Sequence, residues 1–407
     1  MKKLLLGAFL FLTACSHRDV EPDNLPNLRA LSNGEQTVST TNNDFAFSLF
    51  KKVQTGQREN IFISPLSIGL ALGMTLNGAE GATKAGILSA IHFDGLEPAQ
   101  VNQAYHDLTG LLTSMDRTIE MRLANSVWYK NVYTVKSEFT SIVKDFYDGK
   151  AEGLDFTDAS AKDVINAWVE DKTNHRIKNL IESISNDDVM FLINAIYFKG
   201  EWTNQFDKSL TKKDDFITED GSTEQVDMMY SKGVKLSFFM NNQLSLLDIP
   251  YGNGQFNMTI LLPNRTETVA SILQSTGSDS ITYWLDNAEP RTPILEMPKF
   301  KMEWKSLLNE RLSDMGMGIA FSDSASFPYL FENPLSLKIS RVIHQSFIEV
   351  EEEGSEAAAA TVVGIATSTV GLPVLDHIKI NRPFIFMIRE KHSGVILFIG
   401  QLHSPGN

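Results

Sequence analysis

The chain has 407 residues and is 43% hydrophobic, so it is long enough to bury a large core. Its formal net charge of −14 repels nucleic acid and anionic lipid headgroups, which argues against both as partners. The 25 Phe residues exclude an acidic disordered protein.

Residues 1–14 are predicted to be a signal peptide. Lys2 and Lys3 precede an apolar run from Leu4 to Leu12, which is too short to span a bilayer. The run ends in Leu-Thr-Ala-Cys, which resembles the lipobox of bacterial lipoproteins, where small residues before the cysteine admit the signal peptidase. We therefore expect Cys15, the only cysteine, to carry a lipid. The alternative is a simple secretory signal with an incidental cysteine.

The lipobox interpretation implies an exported bacterial lipoprotein, held at the outer membrane or cell surface or released outside the cell. Residues 15–40 are rich in Asn, Ser, Thr, Pro and acidic side chains, which predicts a flexible lipidated tether. Residues 41–407 are predicted to fold. One cysteine allows no internal disulfide, and no multi-cysteine metal motif is present, so we expect neither a metal nor a cofactor. We expect a monomer.

Helical patterns dominate the folded region as far as about residue 184. The predicted helices include Ile68–Leu76, Val101–Leu112 and Ala161–Asn174. Strand-like runs dominate afterwards, and they are Val189–Phe198, Leu244–Ile249, Phe256–Leu262, Ile294–Met297 and Leu337–Val350. Phe384–Arg389 and Val395–Leu402 flank a short turn and predict a hairpin. The pattern predicts a single α+β domain.

The segment from Glu351 to Leu372 is the most unusual part of the sequence. It follows a strand, yet after its first residues it consists almost entirely of small, uncharged side chains. Its four consecutive alanines favour helix, whereas Thr361 and the residues after it favour strand. A loop with so few large or charged anchors fits easily into a protease cleft.

As a strand, this segment has one face of small or apolar residues, because side chains alternate between faces. That face contains Ser355, Ala357, Ala359, Thr361, Val363 and Ile365. Glu356 points the other way, toward water, which is the pattern of a strand with one buried face. The alternative is a low-complexity linker, which requires neither the alternation nor the flanking strands.

Several motifs resemble the serpin family of protease inhibitors. They are the hinge 352–359, which is similar to that of antithrombin and neuroserpin, the shutter segment 60–67, the breach strand 194–202 and the signature 381–384. His344 stands where the shutter histidine is expected. In this order, over roughly 360 residues, the motifs are highly specific.

The resemblance implies a serpin fold with three β-sheets, about eight or nine helices mainly in the first half, and an exposed reactive-centre loop at about 354–378. It also implies a mechanism. A serine protease attacks the loop and forms an acyl-enzyme, and the cut loop then inserts into the central sheet and traps the protease. The chain itself would not be an enzyme, and the sequence contains no nucleophile elbow, zinc-protease motif or phosphate-binding loop.

The hinge residues favour an inhibitor over a non-inhibitory serpin that acts as a surface binding protein, which is the alternative. The hinge consists of Glu352, Gly354, Ser355, Ala357, Ala359 and Thr361. A charged side chain early on the inserting face would cost several kcal/mol to bury, roughly, whereas these small residues bury cheaply. We interpret the acidic residues 351–353 as a solvated strand end.

Counting from the hinge as in antithrombin-like members places the scissile bond at Ser368–Thr369. A shift of register leaves bonds involving Thr367 or Val370 as alternatives. Each of these bonds would present a small residue to the primary specificity pocket of the protease. Small pockets of this kind belong to elastase-like and some subtilisin-like serine proteases. The loop contains no Arg or Lys, so trypsin-like targets are not expected.

The resemblance also predicts a buried polar network beneath the central sheet, formed by Ser64, Asn194 and His344. The alternative for His344 is a core histidine with one hydrogen bond. Trp202 is interpreted as a packing residue at the top of the sheet. The stretch Val101–Glu120 has few basic residues, so we expect no heparin site of the antithrombin kind.

Overall fold

The computed structural model describes residues 25–26, 28–54, 56, 58–333, 337–355 and 376–406. The predicted signal peptide, the lipid attachment residue and loop residues 356–375 lie outside this part of the chain. The predicted scissile bonds and the hinge residues Ala357, Ala359 and Thr361 are therefore outside the described residues as well.

Nine α-helices occur among the described residues, and six of them precede residue 173. They are α1 (Asn33–Gln54), α2 (Pro65–Leu76), α3 (Gly81–Ala90), α4 (Pro98–Ser114), α5 (Ser137–Tyr147), α6 (Ala161–Lys172), α7 (Val269–Ser275), α8 (Ser278–Asp286) and α9 (Asn309–Leu312). The three predicted helices correspond to α2, α4 and α6. In the described ranges, no helix has both the length and the apolar character needed to cross a membrane.

Helix α1 begins at Asn33, before the predicted start of the folded domain at residue 41. Residues 33–40 of the predicted tether are therefore helical, and that part of the prediction is wrong. The Ser, Thr and Asn residues of this stretch have modest helix propensity, so its sequence looks like a linker. Burial of Val38 on the same helix as Phe45 and Leu49 outweighs that propensity.

Seventeen strands form three sheets in the described part of the chain. They are β1 (Ile61–Ile63), β2 (Glu120–Lys130), β3 (Lys150–Leu154), β4 (Met190–Glu201), β5 (Lys212–Ile217), β6 (Thr223–Lys232), β7 (Leu236–Met240), β8 (Leu244–Tyr251), β9 (Phe256–Pro263), β10 (Glu289–Arg291), β11 (Ile294–Pro298), β12 (Phe300–Leu307), β13 (Arg341–Val350), β14 (Gly354–Ser355), β15 (His377–Lys379), β16 (Phe384–Glu390) and β17 (Ile396–Leu402).

The central sheet has the strand order β12-β13-β14-β4-β2-β3. A second sheet has the order β1-β17-β16-β9-β8-β7-β10 and includes the predicted hairpin β16–β17. The third, smaller sheet has the order β15-β11-β6-β5. Strand β15 follows the predicted reactive-centre loop in the sequence and lies at the edge of this third sheet.

Strands β13 and β4 pair directly and in parallel along their first halves, from Arg341–Phe191 to Ser346–Ile196. Beyond that point they separate, and β14 lies between them. Ser355 is in register with Val350 of β13 and with Gly200 of β4. The first two residues of the predicted loop therefore already form the beginning of an additional central strand.

Gly354 is required at the point where β14 enters the sheet. Its φ is +156°, and a Cβ atom there would lie 2.1 Å from the carbonyl oxygen of Gly200. No side chain fits within that distance, so only glycine allows β14 to approach β4 this closely.

Candidate functional site

Ser355 is fully buried where β14 enters the central sheet. Its Oγ lies 2.7 Å from the hydroxyl of Tyr251, so the two hydroxyls share a hydrogen bond. Burial raises the pKa of Tyr251 well above its ordinary value, although the bond to Ser355 acts in the opposite direction. The phenol is therefore neutral and gives the serine a fixed, uncharged partner.

The indole of Trp202 covers this position. Its ring stacks on Tyr251 with the centroids 4.2 Å apart. Its Nε1 donates to the carbonyl of Glu351 over 2.9 Å, and its backbone N–H donates to the carbonyl of Glu353 over 2.8 Å. The predicted packing role of Trp202 is thus only part of its function, because it also holds the turn that leads into β14.

Acidic residues 351–353, at the start of the hinge, are not the solvated strand end that we predicted. Glu352 and Glu353 are buried. Lys299 Nζ lies 3.0 Å from the carboxylate of Glu352 and 3.2 Å from that of Glu351, and Lys208 pairs with Glu353. The lysines precede these glutamates by more than 50 residues, so no local pattern predicts the pairing.

Glu352 is ionised despite its burial. Burial opposes ionisation, but hydrogen bonds from Thr211, from the backbone and from Lys299 outweigh it and lower the pKa of the carboxyl group. The Thr211 hydroxyl donates over 2.7 Å. This carboxylate therefore ties the start of the hinge to two other segments of the chain.

The predicted shutter residues do come together beneath the central sheet. The backbone N–H of Ser64 donates to His344 Nε2 over 3.1 Å, so the ring proton is on Nδ1. Nδ1 then donates to Asn194 Oδ1 over 3.0 Å. The side-chain amide of Asn194 in turn donates to Asn125 Oδ1 over 2.8 Å.

His344 therefore makes two hydrogen bonds, and the alternative of a core histidine with one bond is excluded. Burial lowers its pKa to about 3, so the ring is neutral at physiological pH. Asn125 also belongs to the network. No motif around it predicts this role, because Asn125 reaches Asn194 only through the pairing of β2 with β4. Ser64 also caps α2, since its Oγ accepts the N–H of Ser67 over 3.3 Å.

The network contains unused hydrogen-bonding groups. Ser67 Oγ and Asn125 Nδ2 are buried, and neither has a hydrogen-bond partner among the described residues. Within the same part of the chain, no group of three or more His, Cys, Asp or Glu side chains is arranged to hold a metal ion. The site therefore has two parts. One is the network of neutral polar groups beneath the central sheet, and the other is the position between β13 and β4 where β14 enters that sheet.

These features define a class of protein in which a short strand enters the central sheet between two longer strands and a buried polar network lies beneath the same sheet. Comparison with known proteins agrees. A family model described as serpin (serine protease inhibitor) matches residues 40–405. Human Serpin B4 is 33% identical over 390 residues, which cover 91% of this chain and all of that protein.

Solved structures give the same result. The native state of tengpin, a thermophilic serpin, is 30% identical with a TM-score of 0.83, and the match covers 94% of this chain and 97% of that one. Human thyroxine-binding globulin complexed with thyroxine is 27% identical with a TM-score of 0.83, and the match covers 91% and 99%. The chain belongs to the serpin family, and the predicted fold is confirmed.

Proposed function

We propose that this serpin is an inhibitor that acts as a suicide substrate for serine proteases. The observation that carries the proposal is the position of Ser355, which is buried between β13 and β4 as the second residue of the short strand β14. Loop insertion then only lengthens a strand that has already begun, so no new entry point has to form.

The hydrogen-bond pattern favours lengthening of that strand. Below β14, β13 and β4 are joined by one parallel ladder over Arg341–Ser346. An inserted strand replaces this ladder with two, one to each neighbour, and adds its own backbone groups to the sheet. Each net backbone hydrogen bond contributes about 1 kcal/mol, so an insertion of several residues is strongly favourable.

The side chains favour insertion as well. Alternation from Ser355 predicts that Ala357, Ala359 and Thr361 enter on the same face, and none of them carries a charge or a large group. The polar network around His344 lies along the same path and is neutral, so parting of β13 from β4 exposes no buried charge to the entering strand. These properties support fast insertion, which inhibition requires.

We infer proteases with a small primary pocket, elastase-like or subtilisin-like, as the targets, because the predicted scissile bond lies at Ser368–Thr369 among small residues. The test is incubation with pancreatic elastase, followed by SDS gel electrophoresis, with trypsin as the matched control. We expect an SDS-stable complex with elastase and none with trypsin. Mass spectrometry of the released C-terminal fragment identifies the bond.

A non-inhibitory binding protein is the competing function, since one structural neighbour is a thyroxine complex. Such a protein would be cleaved by elastase without forming a stable complex. An elastase digest that yields only cut serpin and active elastase would therefore refute inhibition and leave family membership intact.

We further propose that the chain is exported and held at a membrane through a lipid on Cys15. The support is the lipobox-like sequence ahead of the folded residues. Cys15→Ser should release the protein from the membrane fraction and abolish labelling by a radioactive fatty acid. Unchanged membrane association of this variant would contradict the lipid anchor without affecting the proposed inhibition.

A further inference from the structure

A pocket of about 340 Å³ lies away from the hinge and from the shutter network. Three segments form it, namely the turn between β5 and β6, the residues joining β9 to α7, and residues 381–383 after β15. The backbone N–H of Ile217 donates to the carbonyl of Asn381 over 2.8 Å and joins two of these segments. A volume of this size suits a small molecule.

Two arginines line this pocket, Arg265 and Arg382. Arg382 is partly buried, and its Nε donates to the carbonyl of Pro263 over 2.8 Å, which fixes the side chain. Neither arginine forms an ion pair with any residue that the structure describes. Burial lowers the pKa of Arg382, and the nearby positive charge of Arg265 lowers it further.

The carboxylates of the pocket do not neutralise these charges. Glu219 lies 3.5 Å from Arg58 and 3.5 Å from His403, and Glu267 accepts the Ser271 hydroxyl over 2.7 Å. Two cationic residues therefore line the same pocket, and neither has an ion-pair partner among the described residues, although the chain as a whole is strongly acidic. A bound oxyanion would supply the missing charge, and guanidinium groups match the geometry of phosphate and sulfate.

We propose that this pocket binds a small phosphate- or sulfate-bearing molecule through Arg265 and Arg382. Thr266 and Asn381 line the same pocket and provide a hydroxyl and an amide for the rest of the ligand. Residues 381–383 lie one residue beyond β15, so the ligand also fixes the segment that follows the predicted reactive loop. Because only the folded chain brings the three segments together, binding raises the melting temperature.

The test is thermal unfolding and calorimetry of the full chain with inorganic phosphate, glucose 6-phosphate or glucose 6-sulfate at constant ionic strength, set with sodium chloride. We expect a saturable rise in melting temperature with at least one of the esters. Arg265→Gln should weaken this binding at least tenfold, whereas Arg265→Lys should retain part of it. Arg311→Gln replaces a partly exposed arginine that pairs with Glu310 and does not line the pocket; it is the control and should bind like the parent.

Arg265 is exposed, so its replacement leaves the fold intact, and Arg382→Gln gives a second variant whose folding is checked by circular dichroism. Equal binding by Arg265→Gln and the parent would overturn the proposal, as would the absence of any saturable shift. Binding of inorganic phosphate with neither ester would also overturn it and would indicate an adventitious ion only. Complex formation with elastase, measured on the same variants, keeps this result separate from the proposed inhibition.

Discussion

Ser355 is a residue of the predicted hinge that already pairs with both neighbouring strands of the central sheet. It is fully buried, and its hydroxyl has the neutral phenol of Tyr251 as its partner. Ser355→Arg must either bury a guanidinium there, at a cost of several kcal/mol, roughly, or keep β14 out of the sheet. We expect elastase to cut this variant without being trapped, which SDS gels and residual elastase activity measure.

Two neighbouring substitutions serve as controls for that prediction. Ser355→Ala keeps a small side chain and loses one hydrogen bond, about 1 kcal/mol, so trapping should persist. Glu356→Arg places the same guanidinium one residue later, where strand alternation predicts a solvent-facing position, and should also trap. If Ser355→Arg trapped elastase as efficiently as the parent, burial of the hinge would have no role in inhibition.

His344 predicts a specific pH dependence of stability. Its pKa in the folded protein is about 3, below the ordinary value of 6.5. Below pH 6.5 the unfolded chain binds a proton that the folded chain does not, so the contribution of the neutral ring falls as the pH decreases from 6.5 toward 3. The slope approaches 1.4 kcal/mol per pH unit, roughly.

His344→Gln removes this titration together with the hydrogen bonds to Ser64 and Asn194. The variant should be less stable than the parent at pH 7, and the difference should shrink by about 3 kcal/mol between pH 6.5 and pH 4. Urea unfolding of both proteins across this range measures the difference. A constant difference would mean that His344 is protonated in the folded state or exposed to solvent.

At the scale of elements, an ion pair joins the residue before β12 to the residues before β14. Lys299 immediately precedes β12 and pairs with the buried carboxylate of Glu352. Lys299→Ala leaves that carboxylate with Thr211 as its remaining side-chain partner, and we expect a loss of about 1–2 kcal/mol, since Lys299 itself is partly exposed. The midpoint of urea unfolding measures it.

Strand β12 supplies a matched control for this lysine. Lys305 also forms an ion pair, but its partner Glu182 is 81% exposed, and such pairs contribute about 0–1 kcal/mol. Lys305→Ala should therefore leave the urea midpoint nearly unchanged. Equal losses from the two substitutions would show that burial of Glu352 adds nothing to the pairing.

Much of the element order was predictable from the sequence, whereas two strands of the central sheet were not. The predicted hairpin corresponds to β16 and β17, and Val189–Phe198 corresponds to β4. Strands β2 and β3 fall in the stretch that we predicted to be helical. In β2 the residues from Ala124 to Tyr129 are all buried, so no alternation marks them as a strand.

The contacts of the hinge could not be predicted from the sequence either. Its small side chains and its glycine were recognisable, because those properties belong to the segment itself. Tyr251 precedes Ser355 by 104 residues and reaches it only through the packing of two sheets. Lys299 and Lys208 likewise become partners of the acidic residues only in the folded chain, which is why those residues looked solvated.

At the scale of the whole molecule, β14 contributes two residues to the central sheet within the described part of the chain, and β13 and β4 pair directly over Arg341–Ser346. Cutting the loop should let that strand grow, which adds ladder hydrogen bonds and buries the small face. A gain of several kcal/mol corresponds to a rise in melting temperature on the order of 10 °C. Scanning calorimetry of the intact and the elastase-cut chain measures this rise, and an unchanged or lower value would argue against stored strain.

The most direct test is the crystal structure of the elastase-cut protein. Insertion predicts that Ala357, Ala359 and Thr361 lie in a continuous strand between β4 and β13, and that the direct Arg341–Phe191 to Ser346–Ile196 pairing is gone. A cut chain in which β13 and β4 still pair directly below Ser355, with the loop outside the sheet, would contradict inhibition by strand insertion.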